Sequence, residues 1–392
     1  MLKKLFFGIV IIFLAATIIS CGGSGNTNNG DKKDTVKVVK KDSVKVNKKY
    51  TDIAQFISGM AVDEKSELYE LSGTESFKNY SVQTDSSWAK LKRGRLAKMN
   101  SWSEKELTDL NKDLKTLFYP FSGPDFFHVH YFFPKAKKYI MFGLEPVGSI
   151  PEIKSMTSET LTPFFTSLNT SINDAVSMSF FKTIDMSKEL TTSQIPGITP
   201  LLMLFIARTG HEIVDIKPWE FNADGIITPM DTFTNFKGKD SYDKGVEISF
   251  VEKGDTVLQK IYYFSADVSD AGLKDDTKAA KYFDKLDSNV VTMVKSASYL
   301  MHNDYFSTIR NYVLAKSKAF FQDDSGIPYR CIEQKKWNIS LYGVYNGPIQ
   351  LFAGKYEKDL KEAYTEGKDK VKPLDFHYGY GNACALLVAR KK

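Results

Sequence analysis

The sequence is poor in cysteine and, beyond its first 20 residues, contains no long apolar run. Only 3 of its 392 residues are cysteine, which excludes a small scaffold held together by many disulfides. A membrane-spanning helix needs about 20 consecutive apolar residues, and no segment after residue 20 approaches that length. The chain also has no repeat of fixed period, which excludes a solenoid or a propeller.

The excess of positive charge is confined to the N-terminal end. The formal net charge of the whole chain is +6. Lys3 and Lys4 contribute +2, and residues 22–49, with eight lysines and three aspartates, contribute +5. Residues 50–392 therefore carry a net charge of about −1. This distribution does not favour a globular nucleic-acid-binding surface, and we predict no nucleic-acid partner.

The first 21 residues have the pattern of an export signal. Two lysines precede an apolar run from Leu5 to Thr17, and the small residue Ser20 stands directly before Cys21. The stretch IISC resembles the lipobox of bacterial lipoproteins. This resemblance implies removal of residues 1–20 and attachment of lipid, with fatty chains such as palmitate, to the Cys21 thiol. The alternative is an ordinary cleaved signal followed by an incidental cysteine.

A lipid on Cys21 would place the protein in the cell envelope, and we favour the outer membrane or the cell surface over the inner membrane. Residues 21–49 are then a flexible basic tether, because residues 22–35 are rich in Gly, Asn and charge. The next residues alternate Val with Lys, which is typical of an extended arm or a weak edge strand. A random coil of this length spans about 30 Å. Its lysines could contact anionic headgroups or simply be solvated.

Residues 50–392 are predicted to form one large α+β region or two closely packed domains, with a boundary between residues 210 and 245. Helical periodicity predicts helices over residues 52–60, 85–99, 158–182, 200–208, 273–284, 305–316 and 356–366. Ser103 and Glu106 have the spacing of a capping box and predict a further helix that begins at Ser103. Strands are predicted over 212–221, 246–252, 256–265, 337–345 and 383–389. This mixture predicts an α+β fold with a mixed, partly antiparallel sheet.

Two histidines in an aromatic-rich segment form the first candidate site. The segment YPFSGPDFFHVHYFFPKAKKYIMFG is predicted to form turn, strand, turn and strand. On a strand, His128 and His130 would project to one face, and Asp125 could approach from the preceding turn, giving up to three ligands for zinc or a similar divalent ion. His302 and His377 are remote candidates for a further ligand. The interpretation that we favour has both histidines as hydrogen-bonded structural residues, with no cofactor.

Three other sets of residues could carry chemistry. Ser122 could act as a nucleophile, but it does not lie in a G-x-S-x-G elbow and no base or acid can be assigned to it. Cys384 could pair with His377, although Cys384 fits the interior of a strand. Asp323 and Asp324 share a turn and could bind a cation or act as acid and base. Solvated turn acids are the simpler interpretation of that pair.

The remaining cysteines and the tyrosine-rich C-terminal third each leave two interpretations open. Cys331 and Cys384 could form a disulfide that closes a loop of roughly 50 residues, or could stay buried free thiols. The aromatic residues could form a surface for glycans or peptides, or could pack as amphipathic strand residues, which we favour. They are Tyr329, Trp337, Tyr342, Tyr345, Tyr356, Tyr364, Tyr378 and Tyr380.

Four stretches taken together resemble signatures of bacterial secreted proteins and lipoproteins of uncharacterised function. They are FSGPDFFHVHYFFP, FGLEPVG, QDDSGIPYR and LYGVYNGPIQLF. The resemblance implies a coherent domain family and transfers no catalytic residue. Our leading hypothesis is a lipid-anchored envelope protein that binds or structurally supports an unknown envelope ligand or protein. The second is an envelope hydrolase, metal-dependent in one form, that uses Asp125, His128 and His130, so the sequence leaves open whether the protein is an enzyme.

Overall fold

The computed structural model describes residues 44–178, 195–233, 238–380 and 383–392, and the predicted signal and most of the predicted tether lie outside them. The α+β prediction is confirmed: helices pack on a ten-stranded mixed sheet. The helices are α1 (Lys48–Ile57), α2 (Tyr69–Ser72), α3 (Glu75–Leu91), α4 (Ala97–Glu106), α5 (Thr108–Asn111), α6 (Phe126–Phe132), α7 (Ser158–Met178), α8 (Thr199–Arg208), α9 (Lys278–Lys285), α10 (Ser307–Lys316) and α11 (Lys358–Glu366). The strands are β1 (Thr116–Tyr119), β2 (Lys138–Gly143), β3 (His211–Phe221), β4 (Ile227–Pro229), β5 (Lys244–Glu252), β6 (Gln259–Ser265), β7 (Val290–Val294), β8 (Ser317–Asp323), β9 (Trp337–Gly343) and β10 (Ala385–Lys391).

The folded region begins slightly earlier than the predicted tether ends. Asn47 caps helix α1, because its side chain accepts a hydrogen bond from the Tyr50 backbone N–H at 3.2 Å. The Asn47 backbone N–H in turn donates to the carbonyl of Ile213 in β3 at 2.8 Å. Lys48 and Lys49, which we assigned to the tether, therefore belong to a helix that is fixed to the sheet.

The prediction that a helix begins at Ser103 is wrong. Helices α3 and α4 are joined by a π-helical turn over Lys92–Leu96, so Ser103 lies inside a longer helical run. The Ser103 hydroxyl does not cap a helix; it donates to the carbonyl of Phe132 at 2.5 Å and thereby ties α4 to the end of α6. Ser103 and Glu106 do have the spacing of a capping box, but the Ser103 hydroxyl is engaged in a tertiary hydrogen bond and does not cap a helix.

One sheet runs through the whole folded region. Its strand order is β4-β3-β5-β6-β2-β1-β7-β8-β10-β9. The central strands β6, β2, β1, β7 and β8 are mutually parallel. Strand β10 lies antiparallel between β8 and β9, and β5, β3 and β4 extend the other side as an antiparallel ribbon. Because strands from both sides of residues 210–245 join this sheet, a boundary there does not separate two sheets.

Both faces of the parallel strands are covered. Leu117 and Tyr119 of β1 contact the core formed with helices α1, α3, α4, α6, α7 and α8, whereas Phe118 contacts the core formed with α9 and α10. Successive side chains of a strand point to opposite faces, so a strand covered on both faces is apolar throughout. The segments LFY and YIMF follow this rule, and VVTMV departs from it only at Thr292, whose hydroxyl is hydrogen-bonded to that of Ser317. Within the described residues, none of the helices combines the length and the apolar character that a membrane span requires.

The parallel strands are added in two directions from β1. The chain first builds β2 and then β6 on one side of β1, and later returns to build β7 and β8 on the other side. The order of chain addition thus reverses between β1 and β7. In open sheets of this kind, ligands bind outside the carboxyl ends of the strands at the point of reversal.

The segment that contains both candidate histidines is a helix, so the strand predicted there is wrong. Residues Phe126–Phe132 form α6. The chain leaves the carboxyl end of β1 and must re-enter β2 in the same direction, and a parallel pair requires a crossover connection that is usually helical. Asp125 starts this helix by accepting a hydrogen bond from the His128 backbone N–H at 3.1 Å.

Candidate ligand crevice

A crevice opens at the carboxyl ends of β1, β2, β6 and β7, where the order of strand addition reverses. Its lining residues lie within 119–125 after β1, 143–145 after β2, 266–268 after β6 and 295–306 after β7. Its cavity volume is about 70 Å³, which is below the roughly 300–1,000 Å³ of typical ligand pockets, so it can hold a small molecule or part of a larger one. The fold therefore places this crevice at the position that doubly wound sheets use for binding.

The loop after β1 is fixed against the end of β2. The backbone N–H groups of Ser122 and Gly123 both donate to the carbonyl of Phe142, at 2.8 and 3.2 Å. Gly123 has φ +49°, a left-handed conformation that favours glycine. The Ser122 hydroxyl donates to the carbonyls of Gly123 and Phe142 at 2.9 and 3.1 Å. Ser122 thus stabilises the turn, and this geometry does not make it a nucleophile activated by histidine.

Asp125 and His128 form a buried hydrogen-bonded pair. His128 Nδ1 lies 2.8 Å from Asp125 Oδ1, and His128 Nε2 lies 3.5 Å from Nη2 of Arg95. A guanidinium can only donate, so His128 Nε2 accepts the hydrogen bond from Arg95. Nδ1 therefore carries the ring proton and donates a hydrogen bond to Asp125. Burial lowers the pKa of His128 to about 4, although Asp125 acts in the opposite direction. The hydroxyl of Tyr119 also donates to Asp125, at 3.2 Å.

His130 does not join this pair. Residues two positions apart on a helix point about 200° apart, and His130 Nδ1 instead lies 3.3 Å from the Tyr139 hydroxyl. The His130 ring packs 4.7 Å from that of His211, and burial together with His211 holds the pKa of His130 well below its usual range. The predicted ligand set Asp125, His128 and His130 therefore does not converge, because the strand geometry on which it rested is absent.

No other ligand set replaces it in the part of the chain that the structure describes. There, no three His, Cys, Asp or Glu side chains cluster closely enough to hold a metal ion. His302 Nε2 lies 3.1 Å from the carbonyl of Asp324 and 3.7 Å from a carboxylate oxygen of Glu357, within a different cluster. The unbonded Nε2 of His377 is buried without a hydrogen-bond partner among the described residues.

A buried charge cluster lies beneath the crevice. Lys295, which directly follows β7, is only 2% exposed and lines the crevice. Its Nζ lies 3.5 Å from the ring centroid of Tyr378. Burial lowers the pKa of Lys295 to about 8, against the opposing influence of Asp323 and Asp125. Burial also lowers the pKa of Arg95. Two cations and two carboxylates thus share one poorly solvated region.

Asp323 is an interior member of this cluster and not a solvated turn acid. It is 3% exposed, and its Oδ1 accepts hydrogen bonds from the backbone N–H and the hydroxyl of Ser325 at 3.0 and 2.5 Å. Burial raises the pKa of Asp323, and Lys295 opposes that shift. Asp323 Oδ2 and the Tyr378 hydroxyl have no hydrogen-bond partner among the described residues. The turn-acid interpretation is therefore wrong for Asp323.

Glu145 follows the end of β2 and lines the crevice while being almost completely buried. The Tyr263 hydroxyl donates to the Glu145 carbonyl at 2.9 Å and lies 3.4 Å from Oε2. A Cβ at Gly143 would lie 2.3 Å from Glu145 Oε2, so glycine there leaves the space that the carboxylate fills. Asp267 occupies the equivalent place after β6. The β2 and β6 side of the crevice is consequently acidic.

A second buried polar cluster lies next to this one. The Tyr299 hydroxyl donates to Asp324 Oδ2 at 2.8 Å, and the Tyr329 backbone N–H donates to Glu357 Oε2 at 2.6 Å. Burial raises the pKa of Asp324 and of Glu357 to about 7 each. Ser298 and Tyr299 have φ of +62° and +54°, a strained backbone that is typically found at functional sites. Asp324, like Asp323, is not a freely solvated turn acid.

The cysteines and tyrosines of the C-terminal third serve mainly in packing. Cys331 and Cys384 are free thiols, so the structure does not contain the disulfide that we considered. Burial raises the pKa of Cys384 to about 12, and its Sγ donates to the Tyr378 carbonyl at 2.9 Å; it is not an activated nucleophile. Most of the aromatic set is buried or half-buried, which bears out the packing interpretation, and Tyr356 is the exposed exception.

Sequence reasoning missed Arg95, Glu145 and Lys295. Glu145 and Lys295 share a signal that could have found them, since each is a charged residue just beyond a continuous apolar strand. Arg95 offers no such signal because it lies in the helical turn between α3 and α4 and does not follow a strand. Comparison of the chain with protein-family models, with curated proteins and with solved structures found no match.

Proposed function

We propose that this protein is a lipid-anchored envelope protein whose folded region binds a small nucleoside-like ligand without phosphate groups. The observation that carries the ligand proposal is the crevice at the strand-order reversal, with the Glu145 and Asp267 carboxylates at the ends of β2 and β6. Binding at this place is the general behaviour of doubly wound sheets. The proposal gives a ligand class to the binding role that the sequence suggested.

Glu145 is the group that would accept hydrogen bonds from a ribose. In nucleotide-binding sheets, an acidic residue about 20 residues beyond the β1 turn accepts hydrogen bonds from ribose hydroxyls. Glu145 stands 22 positions after Gly123 of that turn and two residues after the end of β2. Apolar side chains of Phe121, Val268 and Phe306 line the same crevice and offer surfaces to a base. A diol held by a carboxylate beside an apolar surface fits a nucleoside.

A phosphate group does not fit the same crevice. Nucleotide sites place phosphate at the N-terminus of the helix after β1, but Asp125 occupies that end of α6 with its own carboxylate. Asp125, Glu145 and Asp267 line the crevice together with one cation, Lys295. An anionic ligand would meet like charges in a poorly solvated space. The charge pattern therefore favours a neutral or cationic nucleoside over a nucleotide.

The hydrolase hypothesis has less support. Its three residues do not converge, and both histidines are buried in aromatic packing. His128 accepts from Arg95 and donates to Asp125, so neither nitrogen faces a nucleophile. A binding role requires none of these groups to react.

The membrane attachment in this proposal is supported by the sequence of the first 21 residues. A Cys21→Ala variant should lose membrane association, because no other strong membrane insertion is expected of the mature chain. The measurement is fractionation of cells into soluble and membrane fractions, followed by a high-salt wash that removes proteins held by charge alone. Persistence of the variant in the washed membranes would contradict the anchor.

Adenosine and S-adenosylmethionine should bind the purified protein, whereas ATP should bind at least about 10-fold more weakly. The neutral and the cationic nucleoside avoid the repulsion that the ATP phosphates meet. Isothermal titration calorimetry gives the affinities, and a ligand at 100 times its Kd should add about 2.7 kcal/mol to the free energy of unfolding.

Two alanine-to-phenylalanine variants test whether the nucleoside binds in the crevice. Ala297 is half-buried and lines the crevice, so Ala297→Phe should fill it and weaken nucleoside binding by about 10-fold or more. Ala353 is exposed and lies away from the lining, and Ala353→Phe should leave the affinity unchanged. Equal binding of ATP and adenosine, or equal affinity of the two variants, would reject the proposed site.

A further inference from the structure

Lys295 has an unusual position for a lysine. It is the first residue after β7, at the strand-order reversal, and its side chain is almost completely buried while lining the crevice. A lysine normally keeps its ammonium group in water. Here Nζ lies over the ring of Tyr378 at 3.5 Å, so the amine is held inside the protein by a residue that lines the crevice.

Charged and titratable groups face Lys295 from several elements. Asp125 caps α6, Asp323 ends β8, and Arg95 comes from the π-helical turn between α3 and α4. Cys384, just before β10, also acts electrostatically on the amine. The carboxylates stabilise the ammonium, whereas Arg95 and burial favour the neutral amine. Burial is the largest of these influences, and the pKa of Lys295 falls to about 8.

We propose that Lys295 is a carbonyl-reactive amine that captures a small aldehyde or ketone in the crevice as a reversible imine. Three features of the geometry carry this inference: Lys295 lines an open crevice, its side chain is shielded from bulk water, and Asp125 lines the same space. Desolvated lysines are the lysines that form imines with carbonyl compounds.

The reaction balances without any further reagent. The neutral amine nitrogen of Lys295 attacks the carbonyl carbon, which forms the C–N bond and moves the carbonyl π electrons to oxygen. The nitrogen loses a proton and the oxygen gains one, giving a carbinolamine. Protonation of that hydroxyl group and cleavage of the C–O bond release water, and the nitrogen lone pair forms C=N. Asp125, which lines the same crevice, would carry the first proton from nitrogen to the carbonyl oxygen; water supplies the second proton to the leaving hydroxyl and takes up the remaining N–H proton of the protonated imine.

The captured molecule must be small. Lys295 lies on the β7 side of the crevice, whereas Glu145 and Asp267 lie on the β2 and β6 side, with the β1 loop between them. Carbonyl capture at Lys295 takes place at the β7 end of the crevice and needs no nucleoside, so it does not depend on the proposed nucleoside function. An aldehyde or ketone of a few carbon atoms fits this end.

The test is reductive trapping of the full mature chain with glycolaldehyde and a limiting amount of cyanoborohydride at pH 7.5, followed by peptide mass spectrometry. Exposed lysines with an ordinary pKa near 10.4 are almost entirely protonated at this pH. Lys295 should therefore be modified at least about 10-fold faster than the exposed residues Lys274 and Lys335. Its rate should rise with pH and level off above about pH 8.

Comparison of lysines within one protein keeps the test independent of any variant that fails to fold. Ala297→Phe should slow modification of Lys295 by about 10-fold and leave Lys274 unaffected. Modification of Lys295 at the rate of Lys274, or a rate in Ala297→Phe equal to that of the parent protein, would overturn the proposal. Failure of adenosine to bind would not alter either outcome, because the labelling reaction needs no nucleoside.

Discussion

Replacing Asp125 by alanine is expected to lower the free energy of unfolding by about 3–5 kcal/mol, the cost typical of breaking a buried ionic cluster by removing one partner. Asp125 caps α6 and accepts hydrogen bonds from Nδ1 of His128 and from the Tyr119 hydroxyl. Its loss also leaves Arg95 and Lys295 with one carboxylate fewer in a buried region. Urea denaturation followed by tryptophan fluorescence measures the change.

Two further substitutions separate the causes. Asp125→Asn keeps an acceptor for the helix cap but loses the negative charge, so it should fall between the parent protein and Asp125→Ala. Asp359→Ala removes an exposed acid from the first turn of α11 and should cost no more than about 0.5 kcal/mol. A loss of less than about 1 kcal/mol for Asp125→Ala would mean that the cluster does not stabilise the fold.

Replacing Glu357 by glutamine is expected to stabilise the protein at pH 8 and to have much less effect at pH 5. The pKa of Glu357 is about 7 in the folded protein, raised by burial from a normal value of 4.5. Between these two values the folded state holds a proton that the unfolded state releases, so the free energy of unfolding falls as pH rises towards 7. The amide removes this loss, and at about 1.4 kcal/mol per pKa unit the gain at pH 8 is up to about 3 kcal/mol.

The measurement is the difference in unfolding free energy between the variant and the parent protein at pH 5, 6, 7 and 8. Histidines that do not contact Glu357, such as His128 and His211, titrate in both proteins and cancel in this difference. Glu362→Gln, on the exposed face of the same helix, is the matched control and should show no pH-dependent gain. A difference that stays constant from pH 5 to pH 8 would show that Glu357 is ionised in the folded protein throughout.

The elements with long and regular apolar patterns were predictable from sequence. The predicted helix over 200–208 and the predicted strands over 212–221 and 246–252 agree closely with α8, β3 and β5. Local propensity and tertiary packing act in the same direction in these segments. The α+β class follows from their mixture, but the parallel order of the central strands does not, because it depends on pairings between distant segments.

The candidate site was predictable in part. Asp125 and His128 were found as a polar pair among aromatic residues, and they do interact. His130 was grouped with them because a continuous aromatic run fits a strand as well as a short helix, and periodicity alone cannot separate the two. The need for a crossover between β1 and β2 decides in favour of the helix. That need becomes visible only once the two strands are known to be parallel.

The position of β10 makes the order of synthesis matter for folding. The last strand of the chain is inserted antiparallel between β8 and β9, so β9 has no neighbour on that side until residues 385–391 are available. A nascent chain lacking these residues cannot complete the sheet, and docking of β10 closes it in one late, long-range step. A truncation after Cys384, which removes β10 together with Lys392, should therefore leave β9 detached and the chain open to proteolysis, even though every residue that lines the crevice is present.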